Sequence, residues 1–328
     1  MDQPTLTPEH TLVRELVDGQ AVDSVYEVRD VTRRQKKNGE TFLKLQLGDA
    51  SGLVEAVAWE DVEQIAAEAT LGVALRVAGR YAQDSRYGAC ITIRRARAAL
   101  PEEFDPEQLA EGPPIPYAQM AADLEALIAT VQNPYLRELL GRLLSVECDS
   151  GSRWHVSPAA KVYHQAYRHG LLEHSLSVAQ GVSAMASTFP GIDRDVAVTG
   201  ALLHDIGKIE AYEQTGGAID LSDAGRLQGE IPLGYYRVRS AMEAIDGFPP
   251  DLCQAVGHII LSHHGKLEHG SPVTPCTREA TLVHMIDNLG GTLGTFDRIE
   301  KGLAEGEQWS GYDRALSGSA YFSASRAA

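Results

Sequence analysis

The apolar residues of this chain change their spacing once along the sequence, and that change separates two kinds of structure. Up to about residue 97 they alternate with polar residues over short runs, which is typical of β-strands. From about residue 118 onwards they recur at every third or fourth position, which is typical of amphipathic helices. The stretch 101–117 between the two patterns is acidic and rich in proline, and we interpret it as a linker.

The first pattern predicts a small β-barrel. Five strand-like runs occur in this part, and a helical segment at 60–69 lies between the third and the fourth of them. Three strands, a helix and two strands is the element order of an OB-fold, a barrel that binds oligonucleotides. The predicted strands are 22–31, 41–47, 53–59, 73–81 and 89–96.

The second pattern predicts an all-α helical bundle, so the chain as a whole is predicted to be multidomain. We place an OB-fold nucleic-acid-binding domain at 1–100, the linker at 101–117, the helical domain at 118–318 and a flexible tail at 319–328. Within the helical domain, the later helices are predicted at about 157–168, 171–188, 193–204, 234–245, 250–264 and 277–295.

The charge of the chain argues against general adhesion to nucleic acid but leaves the barrel as a candidate. The formal net charge is −16, and a chain with that charge is repelled by a polyanion. Residues 21–100 differ from the rest, with 12 Lys/Arg against 11 Asp/Glu. The loop after the first strand gathers cations, and nearby aromatic side chains offer stacking faces. The predicted nucleic-acid-binding residues are Arg33, Arg34, Lys36, Lys37, Phe42 and Trp59.

The cysteines and the apolar runs bear on the location of the protein. The four cysteines are scattered and form no C-x-x-C pair, so neither a zinc ribbon nor a disulfide framework is predicted. No run is as long as the roughly 18 apolar residues of a membrane span, and the N-terminus lacks the pattern of a signal peptide. We therefore expect a cytoplasmic protein with no membrane partner.

Histidine and aspartate recur at the ends of apolar helical runs in the second part of the chain. The most specific example is the run His204-Asp205-Ile206-Gly207-Lys208, and others are at His174, 263–264 and Asp287. A polar group in such a place costs free energy unless it is paired or coordinates a metal ion. Divalent transition metals accept imidazole and carboxylate ligands. One such histidine is more often a satisfied core residue, but four positions in order favour a metal site.

The order His174, His204-Asp205 and Asp287 resembles the metal-binding signature of the HD phosphohydrolase superfamily. More narrowly, an OB-fold followed by an HD domain is similar to the YhaM family of 3′–5′ exoribonucleases. The resemblance implies a hydrolase of phosphodiester bonds that degrades single-stranded RNA from its 3′ end to nucleoside 5′-monophosphates. It leaves single-stranded DNA open as a second substrate. The segments that resemble the family's motifs are 170–176, 204–208, 261–265 and 270–273.

The resemblance also implies a divalent metal, Mn²⁺ with Mg²⁺ or Co²⁺ as alternatives, bound as one or two ions. Asp205 would bridge the two ions, and Glu230 stands where the family is expected to have histidine. Asp205 and Lys208 are the implied catalytic residues: Lys208 would face the phosphoryl oxygens while a metal-activated water attacks phosphorus. The implied metal ligands are His174, His204, Asp205, Glu230, His263, His264 and Asp287.

Other functions fit the same residues. A second hypothesis is that the chain is a nucleotide phosphohydrolase or a cyclic-nucleotide phosphodiesterase, in which the barrel is an appendage. A third hypothesis is a non-enzymatic single-strand-binding protein whose metal site is weakened, because Glu230 replaces the expected histidine. A homo-oligomer is a further expectation, since one barrel with almost no net charge would bind RNA weakly.

Overall fold

The computed structural model describes residues 10–36, 39–84, 88–109, 112–161, 165–215, 218–301, 303 and 306–323. The chain divides into two compact units. The first contains a closed barrel of five strands, and the second contains the long helices of the chain. A multidomain chain with an N-terminal barrel and a helical domain is therefore confirmed.

The barrel is built from the five predicted strands in the order β1-β2-β3-β5-β4. Neighbouring strands are antiparallel except β3 and β5, which are parallel. A parallel pair needs a crossover between its members, and helix α1 with β4 provides it. The strands are β1 (Ala21–Gln35), β2 (Thr41–Asp49), β3 (Gly52–Ala58), β4 (Ala74–Asp84) and β5 (Gly88–Ala98), and α1 is Val62–Glu68.

Alternation along each strand separates the barrel core from its surface. In β2 the side chains of Leu43, Leu45 and Leu47 are buried, while the residues between them are partly exposed. Strands β4 and β5 approach each other most closely at Gly79, where a Cβ atom would lie 2.3 Å from the backbone oxygen of Thr92. The pairing register of the two strands shifts at this point, so the glycine accommodates a bulge that helps the barrel to close.

The segment that follows the barrel is held on it by hydrogen bonds. A 3₁₀ turn at Pro101–Glu103 places the carboxylate of Glu103 against the guanidinium groups of Arg76 and Arg97. Helix α2 (Pro106–Leu109) follows. The backbone oxygen of Gln108 accepts a hydrogen bond of 2.8 Å from the backbone N–H of Ala50, the residue directly after β2. The first half of the predicted linker thus contacts the barrel, and the predicted domain boundaries stay a prediction.

Helix α7 is the central element of the second unit. Every residue from Val196 to Leu203 is buried, because the helix packs against α6, α11 and α12. The helices are α3 (Tyr117–Ala129), α4 (Pro134–Leu144), α5 (Asp149–Val156), α6 (Gly170–Ala186), α7 (Arg194–Leu203), α8 (Lys208–Ala211), α9 (Asp223–Gln228), α10 (Glu230–Glu243), α11 (Pro250–Ser262) and α12 (Arg278–Lys301). A hairpin of β6 (Tyr212–Thr215) and β7 (Ala218–Leu221) lies between α8 and α9.

Two local features differ from the sequence-based expectation. The helix predicted at 157–168 is wrong for its described residues, since α5 ends at Val156 and 157–161 form no helix. The reason is Pro158: the residue before a proline avoids the helical conformation, and Ser157 is extended with ψ 149°. The hairpin β6–β7 was not predicted, although two consecutive glycines between short runs are a hairpin signal.

The last described residues of the chain are held by a backbone hydrogen bond. The predicted tail begins at 319, but Ala320 is buried and its oxygen accepts a hydrogen bond of 2.9 Å from Ser310. Beyond residue 323 the predicted flexibility lies outside the described residues.

Across the described part of the chain, no helix has the length and apolarity needed to span a membrane. The cytoplasmic location stays a prediction.

Two glycines in adjacent helices provide a matched test of the packing. A Cβ at Gly151 would lie 2.0 Å from the backbone oxygen of Ser145, which cannot move aside as a side chain can. We expect Gly151→Ala to lower the free energy of unfolding by about 1–3 kcal/mol. Gly141→Ala is the control, because no heavy atom lies within 4 Å of its added Cβ, and it should raise stability by up to about 1 kcal/mol. Urea unfolding followed by circular dichroism measures both, and equal stability of Gly151→Ala and the wild type would contradict this packing.

Candidate metal centre

Two groups of ligand atoms meet where α6, α7, α11 and α12 pack together. The first group is His174 on α6, His204 at the end of α7 and Asp287 on α12. The second is Asp205 with His263 and His264, which follow α11. In each group the ligand atoms lie within 4.8 Å of one another. The structure therefore brings together six of the seven predicted metal ligands.

Asp205 lies between the two groups and presents one carboxylate oxygen to each. Its Oδ2 is 3.3 Å from Nε2 of His174 and 3.3 Å from Nε2 of His204. Its Oδ1 is 3.5 Å from Nε2 of His263. This is the arrangement that a bridging carboxylate needs.

Each histidine of the two groups donates its Nδ1 hydrogen to an oxygen atom. For His204 and His263 the acceptors are the backbone oxygens of Ala201 at 2.6 Å and Ile260 at 2.8 Å. A carbonyl oxygen only accepts, so Nδ1 carries the hydrogen. The other two donate in the same way, His174 to Oε1 of Gln165 at 3.1 Å and His264 to the backbone oxygen of His269 at 2.9 Å. Histidines that bind metals have this arrangement, because it leaves Nε2 as the ligand atom.

The geometry of these atoms fits a cation. Nε2 of His174 and Nε2 of His204 are only 3.2 Å apart, and Oδ1 of Asp287 is 3.2 Å from the former. Lone pairs and carboxylate oxygens at such distances repel one another unless positive charge lies between them. Among the described residues, Oδ1 of Asp205 and Nε2 of His263 are buried without a hydrogen-bond partner. A buried polar atom in this state is costly, and a metal ion would satisfy both atoms.

The ionisation of the site shows the same demand for positive charge. Burial by itself would lower the pKa of His174, but hydrogen bonds and charges of Asp205 and Asp287 raise it to about 9. Burial would likewise raise the pKa of Asp205, but the positive charge of Lys208 and contacts with histidines hold it well below its usual range. Despite burial, the pKa of Asp287 is also lowered, mainly by His174 and His204. The carboxylates thus stay ionised and attract cations.

Lys208 and Glu230 border the two groups. Nζ of Lys208 is 2.6 Å from Oδ2 of Asp205, and its side chain is only 15% exposed. Burial lowers the pKa of Lys208, but the carboxylate of Asp205 outweighs that effect and raises it. Oε1 of Glu230, the first residue of α10, is 3.8 Å from Nε2 of His264. Glu230 therefore faces the second group, although it is outside the two clusters of ligand atoms.

A cavity of about 280 Å³ opens beside the ligand atoms. The sequence predicted only half of its lining residues as ligands, namely His263, His264 and Asp287. For His284 and Asn288 the available signal is helical spacing, since 284, 287 and 288 lie three and four positions apart on α12. The lining residues are His263, His264, His269, His284, Asp287 and Asn288.

In the barrel, the structure places some of the predicted nucleic-acid-binding residues side by side. The rings of Phe42 and Trp59 are 4.7 Å apart, and Trp59 is 45% exposed. Nζ of Lys36 lies 5.3 Å from the centre of the Trp59 ring. Arg33 instead forms an exposed ion pair with Glu63 at 2.9 Å.

Arg34 and Lys37 complete the six predicted residues. Arg34 pairs with Phe42 in the ladder of β1 and β2, so the two lie on adjacent strands. Lys37 lies outside the described residues. Phe42, Trp59 and Lys36 are called the aromatic patch below.

Comparison with known proteins first defines the class. Residues 171–291 match the family model described as HD domain. This span contains all seven of the predicted ligands and the central helix α7. The helical unit, its clustered histidines and aspartates and this match define the chain as an HD-domain phosphohydrolase.

Curated relatives then define the family. The chain is 30% identical over 294 residues to the 3′–5′ exoribonuclease YhaM of Bacillus licheniformis, covering 88% of this chain and 90% of that protein. It is 28% identical over 292 residues to the YhaM of Bacillus subtilis, with the same coverage. The chain therefore belongs to the YhaM family of 3′–5′ exoribonucleases. The predicted family and the predicted enzyme class, a hydrolase of phosphodiester bonds, are confirmed.

A comparison with solved structures adds little. The chain aligns with a crystal structure of a domain of replication protein A from Methanococcus maripaludis at 17% identity. The alignment covers 29% of this chain and 99% of that chain, with a TM-score of 0.25. A score this low supports no conclusion about function.

Metal binding should stabilise the helical unit through Asp205. A ligand that binds only the folded state raises the free energy of unfolding by about 2.7 kcal/mol when its concentration is 100 times its dissociation constant. We therefore expect Mn²⁺ to raise the melting temperature of the wild type, and Asp205→Asn to abolish most of this rise. Asp251→Asn, an exposed position in the first turn of α11, is the matched control and should keep it. Differential scanning calorimetry with and without Mn²⁺ measures the melting temperatures. If Mn²⁺ raises the melting temperature of Asp205→Asn as much as that of the wild type, the metal site is contradicted.

Proposed function

We propose that this protein removes nucleoside 5′-monophosphates one at a time from the 3′ end of single-stranded RNA, with Mn²⁺ as its metal. The observation that carries the proposal is the orientation of four histidines, each fixed through Nδ1 so that Nε2 turns towards the carboxylates. The activity named for the relatives agrees with it. Mg²⁺ and Co²⁺ are the alternative metals, and single-stranded DNA is the alternative substrate.

The ligands divide between two metal positions. His174, His204 and Asp287 would hold the first ion, and His263 and His264 the second. Asp205 would contact both through its two oxygens. Glu230 would complete the second position, and its carboxylate favours Mn²⁺ or Mg²⁺ over softer ions.

The residues of the chain have separate tasks in hydrolysis. A bound divalent metal supplies positive charge for the phosphoryl oxygens and lowers the pKa of a water molecule, which makes a nucleophile available near neutral pH. Asp205 would be a ligand at both metal positions. Lys208, held 2.6 Å from Asp205, adds a fixed positive charge where negative charge develops on the phosphoryl group. Burial of the site strengthens each of these interactions.

The barrel is proposed to bind the strand upstream of the reaction. A base that stacks on the aromatic patch gains about 1–3 kcal/mol whatever its identity. The ammonium group of Lys36 adds attraction to phosphate. Exposed ion pairs such as Arg33–Glu63 contribute little to stability, so phosphate oxygens can compete for the guanidinium group.

A 5′-labelled RNA of 20 nucleotides tests the reaction. In Mn²⁺ the wild type should give a ladder that shortens from the 3′ end, with nucleoside 5′-monophosphates as products. We expect Asp205→Asn to remove nearly all activity, because both metal positions lose a ligand. Lys208→Met should lower kcat by about 10²–10³-fold, as the loss of one preorganised charge typically does. Asp251→Asn is again the control. An intact strand in Mn²⁺, Mg²⁺ and Co²⁺ would refute the exonuclease and favour hydrolysis of free nucleotides or binding alone.

Substrate binding by the barrel has its own prediction. Trp59→Ala should weaken the binding of single-stranded RNA about tenfold, because one stacking contact of about 1.4 kcal/mol is lost. Trp309→Ala is a matched control, since Trp309 is also exposed and pairs with Tyr321 at 5.0 Å between ring centres in the other unit. Fluorescence anisotropy of labelled RNA, in a buffer without divalent metal, measures both. Equal affinities of Trp59→Ala and the wild type would exclude the aromatic patch as the binding surface.

A further inference from the structure

The cavity beside the metal centre has a wall that no metal position uses. Three of the lining residues belong to neither cluster of ligand atoms, namely His269, His284 and Asn288. Pockets for drug-sized ligands measure about 300–1,000 Å³, so a cavity of about 280 Å³ is small and suits a single sugar. Asp287 lies both in the cavity wall and in the first ligand group. A molecule in the cavity is therefore next to the reacting phosphate.

The ring of His284 is held in one orientation. Its Nδ1 lies 2.7 Å from the backbone oxygen of His263 and therefore donates its hydrogen. Gly265 packs so closely against the ring that a Cβ there would lie 2.2 Å from Nε2 of His284. The φ angle of Gly265 is +80°, which also favours glycine. The backbone on both sides of the ring thus fixes its plane and its tautomer.

The fixed tautomer determines what His284 can bind. With the hydrogen on Nδ1, the neutral ring presents Nε2 as an acceptor. Among the described residues, this Nε2 forms no hydrogen bond. The oxygens of a phosphodiester carry no hydrogen and cannot donate to it, whereas a hydroxyl group can. His284 is therefore suited to a sugar hydroxyl.

Asn288 extends the same wall. It lies four residues after His284 on α12, which places both side chains on one face of the helix. Its exposed amide both donates and accepts hydrogen bonds. An acceptor beside an amide matches two neighbouring hydroxyls, each of which donates and accepts. The sugar of every RNA nucleotide offers this pair at its 3′ end, whatever the base.

We propose that His284 and Asn288 bind the 2′- and 3′-hydroxyls of the 3′-terminal ribose, with Nε2 of His284 accepting the hydrogen bond of the 2′-hydroxyl. This inference rests on the proposed exoribonuclease function and gives that function its preference for RNA. The 2′-hydroxyl distinguishes RNA from DNA. A site built to bind a hydroxyl discriminates strongly against the analogue that lacks it, because its own polar group is left unpaired.

The test uses three RNA strands of the same sequence that end in a ribonucleotide, a 2′-deoxynucleotide or a 3′-deoxynucleotide. The rate of release of the first nucleotide is measured in Mn²⁺ for each. We expect the wild type to prefer the ribose end over the 2′-deoxy end by about tenfold or more. In His284→Ala the ratio should fall towards one, and Asn288→Ala should reduce the discrimination against the 3′-deoxy end. Met285→Ala is the control, since Met285 is 58% exposed on the same helix and does not line the cavity.

Each outcome decides the inference. If His284→Ala slows all three strands by the same factor, the residue is only structural and the inference is overturned. If the wild type releases all three ends equally fast, the inference is overturned while the exoribonuclease stands. If the wild type releases none of them, the proposed function fails and the inference fails with it. Should His284→Ala not fold, the exposed Asn288→Ala carries the test, and an unchanged ratio of ribose to 3′-deoxy ends in that variant overturns the proposal.

Discussion

Mutual repulsion among buried ligand atoms is the constraint on which the helical unit depends. Nε2 atoms of His174 and His204 lie 3.2 Å apart, and carboxylate oxygens of Asp205 and Asp287 lie 3.3 Å and 3.2 Å from Nε2 of His174. In an environment shielded from water such charges and lone pairs interact strongly, so positive charge among these atoms favours their close approach. A proton on His174 or a metal ion can supply that charge, and only the metal also performs chemistry.

Two of the histidines also provide hydrogen-bond donors for the ends of helices. The last carbonyl groups of a helix lack partners within it. His204 and His263 are the C-cap residues of α7 and α11, and each donates Nδ1 to a carbonyl three residues earlier. The helix end gains a hydrogen-bond donor, and the imidazole gains a fixed tautomer. Ligands placed at helix ends are thus oriented by the backbone itself, with no further side chain needed.

The two units differ in how they would treat a polyanion. The net charge of −16 repels RNA at long range, and metal ions bound to the two ligand groups would offset part of this repulsion at the site. The barrel segment 21–100 has almost balanced charge, with exposed rings and cations on its surface. Binding through stacking depends less on net charge than binding through phosphate contacts alone. The overall acidity of the chain is therefore compatible with the RNA binding that is proposed for the barrel.

Periodicity and residue type alone determined much of this protein. Alternation predicted the five strands, helical spacing predicted α6, α7, α11 and α12, and polar residues at the ends of apolar runs predicted six clustered ligands, because each of these signals is local in the chain. The helix predicted at 157–168 was wrong and the hairpin β6–β7 was not predicted, although Pro158 and the two glycines between β6 and β7 are local signals for both features.

Only the tertiary structure decided the contacts between distant residues. Gln165 beside His174, the carbonyl of His263 beside His284 and the close approach of Gly265 all join different elements of the unit. A hydrogen-bond partner or a cavity wall depends on how helices pack against one another. The sequence therefore determined which atoms could bind a metal, and packing decided which way those atoms point and what else lines the cavity beside them.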